Sequence, residues 1–182
     1  MFADRGYHAA RVDDIVKAAN TSHGTFYLYF KSKEDLFRAL ALEVAESMVE
    51  LARDLPPLSP DGDSIVALRA WLERFSALYL KYSAVVRSWT EAEIVESEMG
   101  TIGGDLVKQF SDELARRLRD AAPDVDAGTA ALAIVAMIER SHYYLVSQQV
   151  QVEQAALLDT LARVTHACVY GAVTTPELAS QV

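Results

Sequence analysis

Apolar residues recur at helical spacing along most of this sequence, in stretches separated by short polar breaks. Near the start, one face over two turns carries Val12, Ile15, Val16 and Ala19. The polar residues 20–22 follow, and Ser22 is a good N-cap for a second helix at about residues 23–29, because its hydroxyl can accept a hydrogen bond from a free backbone N–H. The spacing therefore predicts two short helices joined by a tight turn.

Longer helices are predicted after this pair. Ser32 with Asp35 indicates a capped helix start, and apolar residues then recur at helical spacing from Lys33 to about Arg53. A Pro-rich loop and a flexible joint at three glycines separate the rest of the chain into further helices. The loop covers residues 56–63, the joint 100–104, and the helices about 65–82, 85–94, 106–118, 126–147 and 152–170. No useful stretch alternates as a strand does, so the predicted fold class is all-α.

The last two predicted helices, 126–147 and 152–170, are apolar over wide faces. Two such helices near the end of a small protein often form a four-helix bundle with a second copy. Alternatively, both faces belong to the core of a single chain. On the first interpretation an arginine at Leu161 should break a homodimer, since an unpaired charge in an apolar seam costs several kcal/mol.

Composition limits the class of protein. With 182 residues and 51% hydrophobic residues, the chain can bury a sizeable core. The single cysteine, Cys168, excludes a disulfide framework within the chain and fits a reducing cytosol; inert burial is expected for it. We see no secretory signal and no apolar run long enough to cross a bilayer. A soluble cytoplasmic protein without a membrane partner is therefore expected.

The charge is divided unevenly. The net charge of −9 argues at first against nucleic acid, but residues 1–38 hold six Lys or Arg against five Asp or Glu. The start of the chain is thus less repulsive to phosphate than the acidic remainder, which should disfavour docking of DNA on other faces.

Four short motifs occur in an order that resembles the TetR family of bacterial regulators. They are Gly6-Tyr7, Val12-Asp13-Asp14-Ile15, Ser22-His23-Gly24-Thr25-Phe26-Tyr27-Leu28-Tyr29-Phe30 and Lys31-Ser32-Lys33-Glu34-Asp35-Leu36. The resemblance covers residues 1 to about 45. It implies a helix-turn-helix DNA-binding domain at 1–45, joined by a long helix to a ligand-binding and dimerisation body at 46–182. It also implies a longer first helix, which here has almost no length before its expected stop at Gly6; a clipped sequence and a misassigned start both explain this.

The sequence departs from the family pattern at three places. Arg11 stands where threonines often touch phosphate, Asn20 replaces a glycine between the helices, and Tyr29 replaces a histidine. Asn also tolerates a left-handed turn, so the motif is kept. These changes leave base preference unpredicted.

A helix-turn-helix places its second helix in a major groove, and a dimer would read a palindromic operator. We expect base-edge contacts from His23, Thr25 and Leu28. Phosphate contacts are expected from Arg11, Ser22, Tyr27, Tyr29, Lys31 and Lys33, and Thr21 and Gly24 complete the predicted DNA-binding set. Gly24 makes sense where another backbone comes close, either the preceding helix or a DNA strand. The alternative is that the short helix pair and its aromatic residues form only core.

The middle of the chain carries more aromatic side chains than a small helical core needs. They are core packing, or they line an apolar pocket in which a few polar groups orient a ligand. The resemblance implies such a pocket between helix 33–53 and the body, with a small hydrophobic ligand. The predicted ligand-binding residues are Trp71, Phe75, Tyr79, Tyr82, Trp89, Met99, Phe110, Met137, His142 and Tyr143.

Enzyme chemistry finds no support in the sequence. There is no Gly-rich phosphate loop, nucleophile elbow or paired metal-ligand spacing among the four histidines, so no cofactor or metal is expected. Three functions remain open: a ligand-responsive DNA-binding repressor, a DNA-binding regulator that needs no ligand, and a helical dimer that binds small molecules but not DNA.

Overall fold

A computed structural model describes Tyr7 and residues 9–86, 97–122 and 125–171, without the side chains of 97–99 and 120. This part of the chain contains seven helices with assigned bounds and no strand. They are α1 (Val12–Ala18), α2 (His23–Tyr29), α3 (Lys33–Arg53), α4 (Gly62–Lys81), α5 (Ser97–Ala121), α6 (Ala127–Ser147) and α7 (Gln154–Tyr170). The predicted all-α fold is confirmed.

Polar side chains cap the starts of four helices, two of which the sequence predicted. Ser22 and Ser32 accept hydrogen bonds from the backbone N–H groups three residues later, as do Asp61 before α4 and Asp126 before α6. Asp35 also accepts from the N–H of Lys31 at 2.9 Å, so the start of α3 is held from both sides. These caps fix where the helices begin.

The body is built by packing α5 along both α3 and α6, and α4 along α7. A single core cluster runs from Tyr7 and Phe37 near the head to Leu158 and Leu161 on α7. The indole N–H of Trp71 donates to the carbonyl oxygen of Leu51 at 2.9 Å, which ties α4 to α3 in the interior. The long helix α3 therefore contacts both the head and the body.

Two predictions about helix ends are wrong. The joint expected at residues 100–104 lies inside α5, which continues through its glycines. Each glycine costs roughly 1 kcal/mol in a helix relative to Ala, a cost that packing against α3 and α6 offsets. The first helix was also expected to end at Gly6, but Tyr7 and Ala9 after that position are helical. The predicted helix at 85–94 lies mostly outside the described residues.

None of the described helices is both long enough and apolar enough to span a lipid bilayer.

Candidate DNA interface and ligand cavity

The turn between α1 and α2 has the geometry of a helix end closed by a left-handed residue. Asn20 has φ of 49°, and the N–H groups of Asn20 and Thr21 donate to the carbonyl oxygens of Lys17 and Val16. This hydrogen-bond pair satisfies carbonyls that the end of α1 leaves free. Asn20 thus takes the place of a glycine, as its identity predicted.

The inner face of α2 packs on the head. Phe26 is buried and its ring lies 5.7 Å from that of Phe30, four residues later on the same face. The Ser22 hydroxyl accepts from the N–H of Thr25 at 3.0 Å and lies 2.9 Å from the Thr25 hydroxyl. The start of α2 is therefore rigidly defined.

The outer face of α2 is unusually apolar for an exposed surface. Leu28 is 81% exposed, Tyr29 76% and Tyr27 56%. The other residues predicted to contact DNA are also exposed, except for Lys33: Arg11, Thr21, Ser22, His23, Gly24, Thr25 and Lys31. Large exposed side chains grouped on one short helix indicate a surface that meets a partner.

Gly24 lies on this surface without a close neighbour. A Cβ at this position would come no nearer than 3.7 Å to the Ser22 hydroxyl. Of the two reasons considered for a glycine here, close approach to the preceding helix is wrong, because no atom of α1 lies within 4 Å of that Cβ.

His23 has a partner that the sequence did not reveal. Its Nε2 lies 2.8 Å from the Asp13 carboxylate, and both side chains are exposed. The two residues lie on consecutive helices, and only the angle between α1 and α2 brings them together. The pair links the start of α2 to α1.

Lys33 is half-buried and holds the head together. Its ammonium donates to the Tyr7 carbonyl oxygen at 3.0 Å and lies 4.5 Å from the centre of the Tyr7 ring. Both contacts join the start of α3 to the residues before α1. Any phosphate contact by Lys33 would be made in addition to this structural role.

A cavity of about 130 Å³ lies inside the body. Its lining is almost entirely apolar and comes from α3, α4, α5 and α6, with Thr165 from α7. The lining residues are Val44, Met48, Ala52, Leu55, Leu68, Trp71, Leu72, Phe75, Tyr79, Val86, Leu106, Val107, Phe110, Leu114, Ile134, Val135, Ile138, Glu139 and Thr165.

Four of the ten predicted ligand residues line this cavity: Trp71, Phe75, Tyr79 and Phe110. Their rings form a connected group, with Phe75 5.8 Å from Trp71 and 5.9 Å from Phe110. The aliphatic lining from α3, which sequence reasoning missed, carries no aromatic signal. Its apolar spacing was visible, but a core stripe has the same spacing.

The remaining predicted ligand residues lie elsewhere. Tyr82 is buried and donates to Glu43 at 2.6 Å, and Tyr143 borders a small cleft beside Tyr79. Met137 packs against the core from α6. Trp89 and the side chain of Met99 lie outside the described residues.

His142 lies under the cavity wall and is fully buried, and it is not among the described residues that line the cavity. Its Nδ1 is 2.8 Å from the Ile138 carbonyl oxygen, and its ring is 4.8 Å from Phe75 and 5.7 Å from Tyr79. Burial lowers the pKa of His142 from its ordinary value of 6.5, because the charged form loses hydration. Its Nε2 has no hydrogen-bond partner among the described residues.

Glu139 is the charged residue at one end of the cavity, and sequence reasoning missed it. The Tyr79 hydroxyl donates to Glu139 Oε1 at 3.0 Å. The pKa of Tyr79 is raised, first by burial and then by the Glu139 carboxylate, so the phenol stays a protonated donor. In the sequence Glu139 is only one acidic residue at the end of an apolar run.

The sequence of the head and of most of the chain is similar to bacterial transcriptional regulators. Residues 1–40 match the family model described as bacterial regulatory proteins, tetR family. The chain is 28% identical over 178 residues to the HTH-type transcriptional regulator EthR of Mycobacterium tuberculosis, covering 94% of this chain and 82% of that protein. It is also 42% identical over 50 residues to the fatty acid metabolism regulator protein of Bacillus subtilis, covering 28% of this chain and 26% of that protein.

The fold agrees with a solved structure. The TetR family transcriptional regulator PfmR from Thermus thermophilus superposes with a TM-score of 0.71 at 20% identity, over 96% of this chain and 94% of that one. The helix-turn-helix with its exposed α2, the matched N-terminal segment and these relatives agree with one another. The N-terminal segment therefore matches the TetR family of DNA-binding transcriptional regulators, and the chain as a whole has the fold of a solved regulator of that family.

Proposed function

We propose that this protein is a cytoplasmic repressor that binds a palindromic operator as a homodimer and is released from it by a small hydrophobic ligand. The observation that carries the proposal is the double role of α3. Near its start Phe37 packs against Tyr7 of the head at 4.6 Å between rings. Further along, Val44, Met48 and Ala52 line the cavity. A ligand that moves this helix would therefore move the head.

The homodimer is supported by largely apolar faces that lack a partner among the described residues. On α6, Leu132 is 51% and Tyr144 41% exposed, on the same side as the exposed Ala133 and Ala136. On α7 the exposed side carries Ala156, Thr160, Val164, Ala167 and Cys168. Two adjacent helices with such faces can form a four-helix bundle with a second copy.

The face of α2 supports the assignment of DNA contacts. Leu28 and Thr25 would reach base edges together with His23, whose ring nitrogen is held by Asp13. Ser22, Tyr27, Tyr29, Lys31 and Arg11 would contact phosphates, and the open space at Gly24 would admit a DNA strand. Lys33 would add a phosphate contact at the base of the head.

Selection of duplexes from a random DNA pool tests the proposal, carried out with the full chain and repeated with metabolite extract. We expect a palindromic consensus with one half-site per subunit, and loss of the bound duplexes when the extract is added. A selected site without symmetry would contradict the dimeric operator. Stable binding that no extract changes would favour a ligand-independent regulator, and failure to enrich any sequence would favour a small-molecule-binding dimer.

Lys31→Ala provides a quantitative check on the interface. Lys31 is exposed, so its loss should weaken all duplexes about equally and reduce the salt dependence by roughly one phosphate per subunit. Arg53→Ala removes the same charge from the exposed end of α3 and should leave the slope unchanged. A change in base preference for Lys31→Ala would contradict the phosphate assignment. Lys33→Ala is less informative, because it also removes the contacts to Tyr7.

A further inference from the structure

The cavity is not only apolar, since it has one charged end. Among its described lining residues Glu139 is the single charged group, and no Lys, Arg or His faces the cavity with it. Thus the electrostatic character of the cavity is set by a carboxylate. A ligand whose polar end lies at the Glu139 end of the cavity meets a negative charge.

The carboxylate is positioned rather than free. Tyr79 holds Oε1 at 3.0 Å, while Oε2 lies 3.7 Å from the Arg140 Nε. Arg140 is about half exposed, lies over the Tyr143 ring at 4.8 Å and does not line the cavity. An exposed neighbour of this kind neutralises a carboxylate weakly, because solvent screens it. Glu139 therefore keeps a lone pair available to a donor inside the cavity.

The cavity is elongated, and its two ends differ. Its lining on α4 extends from Leu68 to Tyr79, eleven residues or about 16 Å along the helix. Glu139 is at the Tyr79 end. The contacts Arg69–Asp159 and Ser76–Gln154 show that α7 runs opposite to α4, which puts Thr165 toward the Leu68 end. The buried Thr165 hydroxyl has no hydrogen-bond partner among the described residues.

A positive group does lie beyond the far end, outside the cavity. Arg117 donates to the Leu55 carbonyl oxygen at 3.0 Å and is absent from the lining. Its Nε is buried and has no hydrogen-bond partner among the described residues, so an anion bound by Arg117 would lie outside the cavity lining.

We propose that the effector of this protein is an elongated apolar molecule with a protonated amine at one end, held by Glu139 and Tyr79, rather than a free fatty acid. This deepens the ligand part of the proposed function and rests on it. An ammonium group gains both Coulomb attraction and a hydrogen bond from the carboxylate. A fatty acid carboxylate would instead face the like charge of Glu139, whose side chain is 37% exposed, and this repulsion disfavours binding.

A matched series of twelve-carbon amphiphiles tests the proposal: dodecylamine, dodecanol and dodecanoate, each below its micelle-forming concentration. Binding to the full chain is measured by calorimetry and by tryptophan fluorescence, since Trp71 lines the cavity. We expect dodecylamine to bind ~10-fold or more tightly than dodecanoate, with dodecanol in between. Dodecanoate binding as tightly as dodecylamine, or no binding of the series, would overturn the proposal.

Variants separate the cavity from the acidic surface, because a cationic amphiphile is attracted to any protein with a net charge of −9. Glu139→Gln should bring the preference for the amine over dodecanoate to within ~3-fold. Glu46→Gln removes the same charge from an exposed position on α3 and should keep the full preference. If Glu139→Gln and Glu46→Gln prefer dodecylamine over dodecanoate to the same extent, the acidic surface and not Glu139 selects the amine.

Operator binding without any amphiphile is measured on the same samples. Failure to bind an operator would contradict the proposed DNA-binding function and leave the ligand result intact. Dodecanoate that binds and releases the operator would retain the proposed function and overturn only the amine assignment.

Discussion

At the scale of single residues, the amino-acid type predicted backbone conformation and helix capping better than it predicted the burial of a side chain. Asn20 takes the left-handed conformation, and Ser22 and Ser32 cap their helices, because these properties depend on the residue itself. Cys168 was expected to be buried and is exposed. His142 was expected to contact a ligand and is instead enclosed by Phe75 and Tyr79, outside the described cavity lining. Surroundings depend on which way a helix faces.

The buried His142 should make stability depend on pH. Its folded pKa is lowered below the ordinary 6.5, so the unfolded chain binds a proton more readily than the folded one. The contribution of His142 is therefore fully present above about pH 6.5, the unfolded pKa, and falls as the pH drops below it. We expect the midpoint temperature of thermal unfolding to decrease when the pH is lowered from about 7.5 to about 5.5. The decrease should be smaller in His142→Leu.

Calorimetry at the two pH values measures this difference. His142→Leu keeps an apolar side chain of moderate size against the Phe75 ring, so folding is expected to survive. An equal fall in the native chain and in the variant would show that other groups cause the pH dependence.

At the scale of helices, the sequence could identify an apolar face but not what covers it. Apolar residues on α7 include Leu161, which is 4% exposed within the single chain, and Val164, which is 38% exposed. Leu161 packs in the core of the body, so Leu161→Arg would disturb the fold of the single chain and cannot by itself test the dimer. Each helix has one face in the core, as the single-chain interpretation predicted, and another face without a partner among the described residues, so the homodimer stays a prediction.

Val164→Arg is the appropriate test of the dimer. An arginine there should leave the protomer folded and separate the subunits, because a charge in an apolar interface is costly without a partner. Light scattering should give the mass of a monomer, with an unchanged helical circular dichroism spectrum, and operator binding should be lost. Leu161→Arg should instead lower the thermal midpoint or prevent folding. A stable Val164→Arg dimer would move the interface away from this face of α7.

At the scale of the whole molecule, α3 connects the two proposed sites. It begins beside the head, where Phe37 meets Tyr7, and supplies one wall of the cavity with Val44, Met48 and Ala52. A ligand changes operator affinity only through its different affinities for the two positions of the heads, and a coupling of roughly 1–3 kcal/mol is typical.

Ala52→Phe tests this coupling by filling the cavity from α3. The added ring occupies space that a hydrophobic ligand would need, so ligand binding and ligand-dependent release of the operator should both be lost. Ala70→Phe adds the same ring to an exposed position of α4 and should leave the response intact. Fluorescence titration and operator binding with and without extract measure the two effects. A normal response of Ala52→Phe would place the ligand outside this cavity.

The sequence by itself determined the helix-turn-helix, the α3 start and the all-helical class. These features depend on local interactions: cap hydroxyls, a left-handed Asn20, Pro-rich breaks and a 3.6-residue apolar period. It also identified four rings of the cavity wall, because aromatic residues are conspicuous.

Only the tertiary structure decided which apolar faces meet each other. Because α5 packs against α3 and α6, it remains helical at glycines that favour a break. The crossing of α4, α5 and α6 leaves a cavity and puts Glu139 at its edge, and the angle between α1 and α2 pairs His23 with Asp13. Such contacts join residues far apart in sequence, whereas hydrophobic periodicity reports only that a face is buried and not which surface covers it.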